Sequence, residues 1–307
     1  MSNRSNINLV QLRSMQQVVK DGLSLTRAAQ SLHASQPGVT RHIQQLENEL
    51  GMPLLVRENK RAIGLTSAGT AVLPVIHRAL SAIEDLHRIS AEFRDGTAGE
   101  FTIATVHAYA RYVLPPAISQ FVTRFPKVRL RIRNGHRTQV VEWLAAGEAD
   151  FSIGTLPEKL FPELVFFPYY EAHLAIFTPV GHPLLRKKRV TLEDVVSYPI
   201  ITYDRDFGSR EDIDRVFGEK QLPLNIVLGA ADAEIMKTYV LAGLGIGIFT
   251  LSAYDKKADP GLRMISAAHL LRPRKVHIGL RREAHLNQHA LRLIEIVAPH
   301  VYSKIIS

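Results

Sequence analysis

Four polar side chains share one face of a predicted helix over residues 36–50, and their chemistry suits the reading of DNA: Gln36, Thr40, Arg41 and Gln44. Arginine and glutamine form paired hydrogen bonds with base edges in the major groove, and threonine contacts bases or phosphates. The other face is apolar and carries Val39, Ile43, Leu46 and Leu50. The segment therefore fits a recognition helix, with the solvated face of an ordinary helical bundle as the alternative.

The residues around this segment predict a helix-turn-helix. Ser35 can cap the amides of the first turn, Pro37 suits that turn, and Gly51 ends the helix. A shorter helix over residues 24–32 precedes it, and its small alanine side chains let a second helix approach closely. A further amphipathic helix is predicted ahead of both from the phase of Leu9, Leu12, Met15 and Val19.

A two-stranded ribbon is predicted directly after these helices, with its turn at Glu58 and Asn59. Three helices and a ribbon form a winged arrangement. Basic side chains on such a wing lie near the phosphate backbone, whose attraction for cations supplies much of the affinity. The predicted DNA-contacting residues are therefore Ser35, Gln36, Pro37, Thr40, Arg41, Gln44, Arg57, Lys60 and Arg61.

These motifs resemble those of the LysR-type transcriptional regulators, and the resemblance covers nearly the whole chain. It is carried by AAQSLHASQPGVTRHIQQLENELGMPLLVR at 28–57 and LTSAG at 65–69. It implies an α+β winged helix-turn-helix domain (1–66), a linker and dimerisation helix (67–94) and an α/β two-lobed effector domain of periplasmic-binding-protein type (100–307). It also implies a homodimer or homotetramer that binds a double-stranded DNA operator and a small-molecule effector, with RNA polymerase as a further candidate partner.

An apolar helical stripe follows Thr66 and continues to about residue 92; its members are Val72, Ile76, Leu80, Ile83 and Leu86. Such a stripe needs a partner, and pairing with a second copy places two reading heads on one two-fold operator. Packing against the chain's own effector domain is the alternative. Pro74 predicts a kink or a later start of the helix, and residues 94–99 are predicted to link the domains.

From residue 100 onward, strand patterns alternate with helix patterns, which is typical of an α/β sheet with mostly parallel strands. The first lobe is predicted over about 100–168 and 271–307, with strands at 101–106, 128–134, 150–154 and 275–282 and a final helix from about 285. The second lobe is predicted over about 169–270, with strands at 174–178, 198–202, 225–229 and 244–249 and helices near 208–219 and 233–242. The chain then crosses twice between the lobes, and a cleft opens between them.

Ligands of open α/β sheets bind beyond the carboxyl ends of the strands, where helix amides favour anions. Hydroxyl, imidazole and guanidinium groups follow several predicted strands, together with an acidic side chain at about position 231, where Ala231 precedes Asp232. The predicted effector residues are Thr105, Val106, His107, Tyr109, His136, Thr138, Thr155, Thr202, Phe207, Ser209, Arg210 and position 231. Singly, a threonine before a helix is often only a cap; together, these residues predict a site for a small anionic effector.

Within the LysR family, IATVHAYARYVLP, ADFSIGT, YPIITYDRDFGSR and DAEIMKTYVLAGLGIG resemble the CysB-like subgroup, which controls sulfur assimilation. The chain departs from that subgroup at Val106, Ala108, Tyr109, Ala172 and Gly208. Several of these replace hydroxyl side chains, and a desolvated dianion without donors costs several kcal/mol. We therefore expect a larger organic or partly aromatic acid rather than a sulfate-type anion, with Tyr109 stacking on it or forming a hydrogen bond.

The composition limits the remaining possibilities. The 307 residues suffice for a small domain and a two-lobed one, and the net charge of +9 favours polyanionic partners. The chain has no cysteine, which excludes disulfides, thiol redox sensing and thiolate metal sites. No cofactor or metal is expected. The amino terminus lacks an apolar signal core, and no stretch approaches the roughly 20 apolar residues of a membrane helix, so a cytoplasmic location is expected.

Two other functions stay open from the sequence. The best support for an α/β enzyme is the spacing of Gly243, Gly245 and Gly247, which is similar to that of a nucleotide-binding loop. These glycines, however, follow an apolar helix and enter a strand, whereas a phosphate-binding loop follows a strand and enters a helix. No catalytic motif accompanies them, and we do not expect this protein to be an enzyme. The other alternative is a constitutive DNA-binding regulator with an unresponsive effector domain, because the pocket residues differ from those of the subgroup.

Overall fold

The computed structural model describes residues 6–59, 61–94, 99–156, 161–205, 207–282 and 286–307. The chain forms two compact units, one of residues 1–93 with 145–148 and one of residues 94–144 with 149–307. The first unit has one apolar core, and the second has two.

The first unit begins with three helices and a ribbon: α1 Leu9–Lys20, α2 Leu25–Ser31, α3 Gln36–Leu50, β1 Leu55–Glu58 and β2 Arg61–Leu65. The predicted caps form, since the Ser35 hydroxyl accepts the amide hydrogen of Gly38 and Gly51 ends α3 with a φ of 68°. Val39 and Ile43 are fully buried on the apolar face of α3. The helix-turn-helix and the antiparallel ribbon are confirmed.

The buried face of α1 differs from the predicted one. Val18 rather than Val19 is fully buried, and Leu9 is 39% exposed. Ser14 is also buried there, and its hydroxyl lies 3.0 Å from Nδ1 of His42 on α3. A polar contact therefore occupies part of the helix interface, and the spacing of apolar residues could not reveal it.

A buried carboxylate joins α3 to the ribbon. Glu47 is 8% exposed, and its Oε1 accepts the amide hydrogens of Leu54 and Leu55 at 2.8 and 3.2 Å. Arg57 of β1 donates to the same carboxylate with both terminal nitrogens, at 3.2 and 2.9 Å. Burial raises the pKa of Glu47, but the hydrogen bonds from Arg57, Leu54 and Leu55 outweigh it and lower the pKa overall.

A long helix, α4 Ser67–Arg94, completes the first unit. The Thr66 hydroxyl accepts the amide hydrogen of Gly69 at 2.9 Å and caps this helix as predicted. Pro74 lies inside α4, so the prediction of a later helix start is wrong. The cap at Thr66 fixes the first turn ahead of the proline, and the proline removes only one internal hydrogen bond.

The apolar stripe of α4 is buried at one end and open at the other. Ile76 and Leu80 belong to the core of the first unit, whereas Leu86 is 63% exposed. Part of the stripe thus faces solvent in the single chain.

The second unit contains two five-stranded sheets. The strands of the first are β3 Gly99–Thr105, β4 Val128–Asn134, β5 Phe151–Gly154, β6 Leu164–Ala172 and β12 Arg274–Arg281, in the order β4-β3-β5-β12-β6. Four strands share one direction, and β12 runs against them. Its helices are α5 His107–Tyr112, α6 Pro115–Arg124, α7 Arg137–Ala145, α11 Gln288–Val297 and α12 Pro299–Ile306.

The strands of the second sheet are β7 Leu174–Pro179, β8 Ile200–Tyr203, β9 Ile226–Ala230, β10 Ile246–Thr250 and β11 Leu262–Ser266, in the order β11-β7-β10-β8-β9. Here β7 runs against the other four. Its helices are α8 Leu192–Val196, α9 Gly208–Glu219 and α10 Ala233–Leu241. Gly243, with a φ of 81°, and Gly245 lie between α10 and β10, which confirms their prediction as helix stop and strand entry.

Two predictions about this unit need correction. The first lobe continues to Ala172 rather than to about residue 168, because β6 pairs with β12, a strand far away in the sequence; neither β6 nor β11 was predicted. The final helix is in fact two helices, separated at Ala298, since Pro299 cannot continue α11. The predicted start of that helix near residue 285 and residues 95–98 of the predicted linker lie outside the described residues.

Replacing Glu47 by glutamine is expected to destabilise the first unit by about 1–3 kcal/mol, because two buried amides and Arg57 lose a charged acceptor. Folding lowers the pKa of Glu47. The carboxylate therefore contributes its full share to the free energy of unfolding above the unfolded pKa of 4.5, and this share is lost as the pH falls through the folded pKa. Urea unfolding of the wild type and of Glu47→Gln, from neutral to acid pH, measures how their difference in stability depends on pH. Glu49→Gln, at an exposed glutamate of the same helix, is the control; a stability difference that does not change with pH would contradict the role of Glu47.

Candidate functional site

The face of α3 that carries the predicted DNA-contacting residues is open to solvent. The exposed residues are Ser35, Gln36, Pro37, Arg41 and Gln44. Thr40 is half-buried, and its hydroxyl donates to the Gln36 carbonyl at 3.0 Å. The structure therefore places all six predicted residues at the start and along one face of a capped helix.

The basic residues of the ribbon differ in whether a carboxylate of the protein already pairs with them. Arg57 donates to Glu47 with both terminal nitrogens, so a carboxylate already takes up its charge. Arg61 begins β2 and is exposed, which suits contact with a phosphate. Lys60 lies outside the described residues.

A pocket in the second unit is lined by residues that follow strands of both sheets. It brings together these predicted effector positions: Val106, His107, Tyr109, Thr155, Phe207, Ser209 and Ala231. Val106 and His107 begin α5 after β3, Thr155 follows β5, and Phe207 precedes α9 after β8. The carboxyl ends of strands from both sheets thus meet at one site, as expected for open α/β sheets.

Two predicted hydroxyls do not line this pocket. Thr105 and Thr202 are fully buried in the sheets. The Thr105 hydroxyl donates to the carbonyl of Ile153, and the Thr202 hydroxyl donates to that of Ile248, both at 2.7 Å. Both side chains therefore join neighbouring strands, which is a structural role that strand-end position alone could not distinguish from ligand binding.

Arg210, His136 and Thr138 also lie outside the pocket lining. Arg210 is 8% exposed, and its guanidinium donates to Asp214 at 2.8 Å and to the carbonyl of Tyr203 at 3.1 Å. Two of its three nitrogens are thus already engaged within the second lobe. The backbone amide of His136 donates to the side chain of Gln139 at the start of α7, which is a local capping contact.

The pocket also contains polar and charged residues that we did not predict: Arg137, His173, Tyr203, Thr250 and Arg274. His173 lies between β6 and β7, and Arg274 begins β12, where the chain passes from one sheet to the other. A search of the sequence for polar residues at the crossings, and not only at strand ends, would have found these two.

Two buried tyrosines bring hydroxyl groups to the pocket. Burial raises the pKa of Tyr109 to about 12, although a hydrogen bond from Thr155 and the charge of Arg274 act in the opposite direction. Burial also raises the pKa of Tyr203, whose oxygen accepts the amide hydrogen of Thr250 at 3.1 Å. Both phenols are therefore protonated at neutral pH and can donate to an anion.

Ion pairs beside the pocket connect the two lobes. Arg137 of α7 donates to both carboxylate oxygens of Glu211 on α9, at 2.8 and 3.0 Å. Arg274 Nε lies 3.2 Å from Oδ2 of Asp212 on the same helix. Guanidinium groups of one lobe thus meet carboxylates of the other at the rim of the pocket.

A third contact between the lobes involves the acidic residue that we expected at about position 231. Position 231 is Ala231, and the acid is its neighbour Asp232, which caps α10. Asp232 Oδ2 lies 3.3 Å from Nε2 of His107. The acidic group therefore lies beside the imidazole of His107 and, as a carboxylate, does not attract an anion.

The groups available for binding at the pocket are guanidinium, imidazole and hydroxyl groups. Among the described residues, no group of three or more His, Asp or Glu side chains is placed to hold a metal ion. In the same ranges, no helix combines the length and the apolar character needed to cross a membrane.

Two family models match these two parts of the chain. Residues 9–70 match the bacterial regulatory helix-turn-helix protein of the lysR family, and residues 94–301 match the LysR substrate binding domain. The chain belongs to the LysR family. LysR regulators bind DNA operators and small-molecule effectors, so the α3 face and the pocket are the two candidate sites of this LysR-type transcriptional regulator.

Several LysR regulators are similar to the chain over most of its length. The transcriptional regulator SsuR of Burkholderia cenocepacia is 42% identical over 295 residues, which cover 96% of each chain. CysB of the same organism is 40% identical over 300 residues, 98% of this chain and 96% of its own. The cofactor-binding domain of the Cbl transcriptional regulator superposes with a TM-score of 0.64 at 34% identity, over 68% of this chain and 92% of that domain.

Arg41→Ala is expected to weaken binding to the specific operator by about 1–3 kcal/mol, because the variant loses a paired contact with a base edge. Fluorescence anisotropy measures this with operator DNA selected from a random pool by the wild-type protein and with a scrambled duplex. Arg292→Ala, at an exposed arginine of α11, removes the same charge and is the control. Wild-type operator affinity in the Arg41→Ala protein would contradict the assignment of Arg41 to base reading.

Proposed function

We propose that this LysR regulator changes its operator binding in response to a small anionic effector held in the pocket of the second unit. One observation carries the proposal: hydroxyl and guanidinium donors from both lobes converge on the same pocket, in a chain whose predicted DNA-contacting face on α3 is exposed. An effector that binds one arrangement of the lobes more tightly shifts the population toward it.

The DNA-binding part of the proposal rests on α3 and the ribbon. Gln36, Arg41 and Gln44 contact base edges, and Arg61 contacts a phosphate. A second copy pairs through α4, which the exposure of Leu86 supports, and the homodimer or homotetramer places two recognition helices on a two-fold operator. Such a regulator works in the cytoplasm with the chromosome, and RNA polymerase is its proposed partner in transcription.

The regulated genes are proposed to serve sulfur-related metabolism. The resemblance of the effector domain to the CysB-like subgroup supports this, as do relatives named SsuR and CysB at 42% and 40% identity. These relatives are named transcriptional regulators, which favours a regulator over an α/β enzyme. Val106, Ala108 and Ala172 line the pocket without hydroxyl groups, which favours an organic effector over inorganic sulfate.

A thermal-shift screen of small carboxylates, sulfonates and sulfate tests the site. An anion that raises the melting temperature of the wild type is expected to lose that effect in the Thr155→Ala and His107→Ala proteins, because each variant removes a polar group from the pocket. Thr123→Ala, at an exposed threonine of α6, is the control. Operator affinity without effector should stay at the wild-type value in all three. If both pocket variants keep the full thermal shift, the effector binds elsewhere.

A further inference from the structure

The guanidinium of Arg274 is only partly used by the protein. Arg274 lines the pocket, and its Nε lies 3.2 Å from Oδ2 of Asp212, an ion pair that orients the guanidinium plane. Its Nη1 is buried and has no hydrogen-bond partner among the described residues. A buried charged donor without an acceptor is unfavourable, so this nitrogen is available to an acceptor that enters the pocket.

A second unused donor lies at the same pocket. Tyr203 is 5% exposed, and its phenolic oxygen accepts the amide hydrogen of Thr250. Within the described part of the chain, the hydroxyl proton of Tyr203 finds no acceptor. Tyr203, Tyr109 and Arg274 all line this one pocket. Two converging donors, one of them charged, form a site for a single oxyanion group.

The neighbouring carboxylates limit the negative charge that the pocket can accept. Arg137 is paired with Glu211, and Arg274 is paired with Asp212. Asp232 places a third carboxylate beside the pocket. Because both guanidinium groups are already paired, a dianion meets more repulsion than a monoanion does. One negative charge therefore matches the unused donors better than two.

Much of the remaining lining is apolar: Val106, Ala108, Ala172, Leu174, Phe207 and Ala231. Covering this surface with an alkyl group removes apolar area from water and is favourable. An inorganic oxyanion leaves it uncovered. The lining thus fits a ligand with a charged head and a small apolar body.

We propose that Arg274 determines the effector specificity of this regulator, and that the effector is a small organic monoanion with a carboxylate or sulfonate head. Nη1 of Arg274 and the hydroxyl of Tyr203 bind the head, and the apolar residues contact the body. This inference rests on the proposed function, to which it adds the ligand class and the residue that selects it.

Isothermal titration calorimetry of the full chain tests the ligand class with four probes: pentanoate and butane-1-sulfonate as monoanions, pentanamide as a neutral counterpart and sulfate as a dianion. The wild type is expected to bind at least one monoanion about tenfold or more tightly than pentanamide or sulfate, because only the monoanions offer both a charged acceptor and an apolar body. The tighter of the two monoanions identifies the head group.

Variants of Arg274 test the residue. Arg274→Gln is expected to raise the Kd of the bound monoanion by about 10- to 100-fold and to leave pentanamide binding unchanged. Arg274→Lys keeps the charge without the guanidinium geometry and should give an intermediate Kd. Arg272→Gln, at an exposed arginine nearby in the chain, is the matched control and should bind like the wild type.

Three results would overturn the inference: no binding of either monoanion, sulfate or pentanamide binding as tightly as the monoanions, or wild-type affinity in Arg274→Gln. The probe comparison uses the wild-type protein, so it decides the ligand class even if Arg274→Gln does not fold. Operator binding is measured on the same samples. Failure of the ligand-free wild type to bind the operator would contradict the proposed function itself, whereas a wrong ligand class leaves the operator binding of the ligand-free protein intact.

Discussion

The two passages of the chain between the sheets fix the position of the pocket. The first runs through Ala172, His173 and Leu174, and the second ends at Arg274, which pairs with Ala172 at the end of the β12–β6 ladder. The carbonyl of His173 accepts the amide hydrogen of Leu251, which holds the first passage against the second sheet. Because both passages lie side by side where strand ends from the two sheets meet, their residues and the strand-end donors line one pocket.

A comparable constraint in the first unit is the burial of Glu47. A carboxylate in a protein core must be compensated by donors, and the donors here are two backbone amides at the start of β1 and the side chain of Arg57. Helix α3 and the ribbon are consequently joined by charge as well as by apolar packing. The exposed residues of α3 therefore project from a helix that is fixed against its neighbour.

The sequence was sufficient to predict features that depend on neighbouring residues. The caps at Ser35 and Thr66 and the stop at Gly51 depend on nearby side chains and φ preferences, and each was found as predicted. Contacts between distant residues could not be predicted in this way. The hydroxyls of Thr105 and Thr202 join strands rather than face the pocket, and Arg274 reaches the pocket only because β12 returns to the first sheet.

The pairing of Arg57 with Glu47 also bears on how DNA affinity depends on salt. Each phosphate neutralised by a basic side chain releases condensed counterions, so the logarithm of the binding constant falls with that of the salt concentration with a slope of about 0.9 per contact. A guanidinium whose charge is already balanced within the protein releases fewer counterions. The ribbon thus adds less sequence-independent attraction than its basic residues suggest, and a larger share of the affinity is expected from the base contacts proposed for α3.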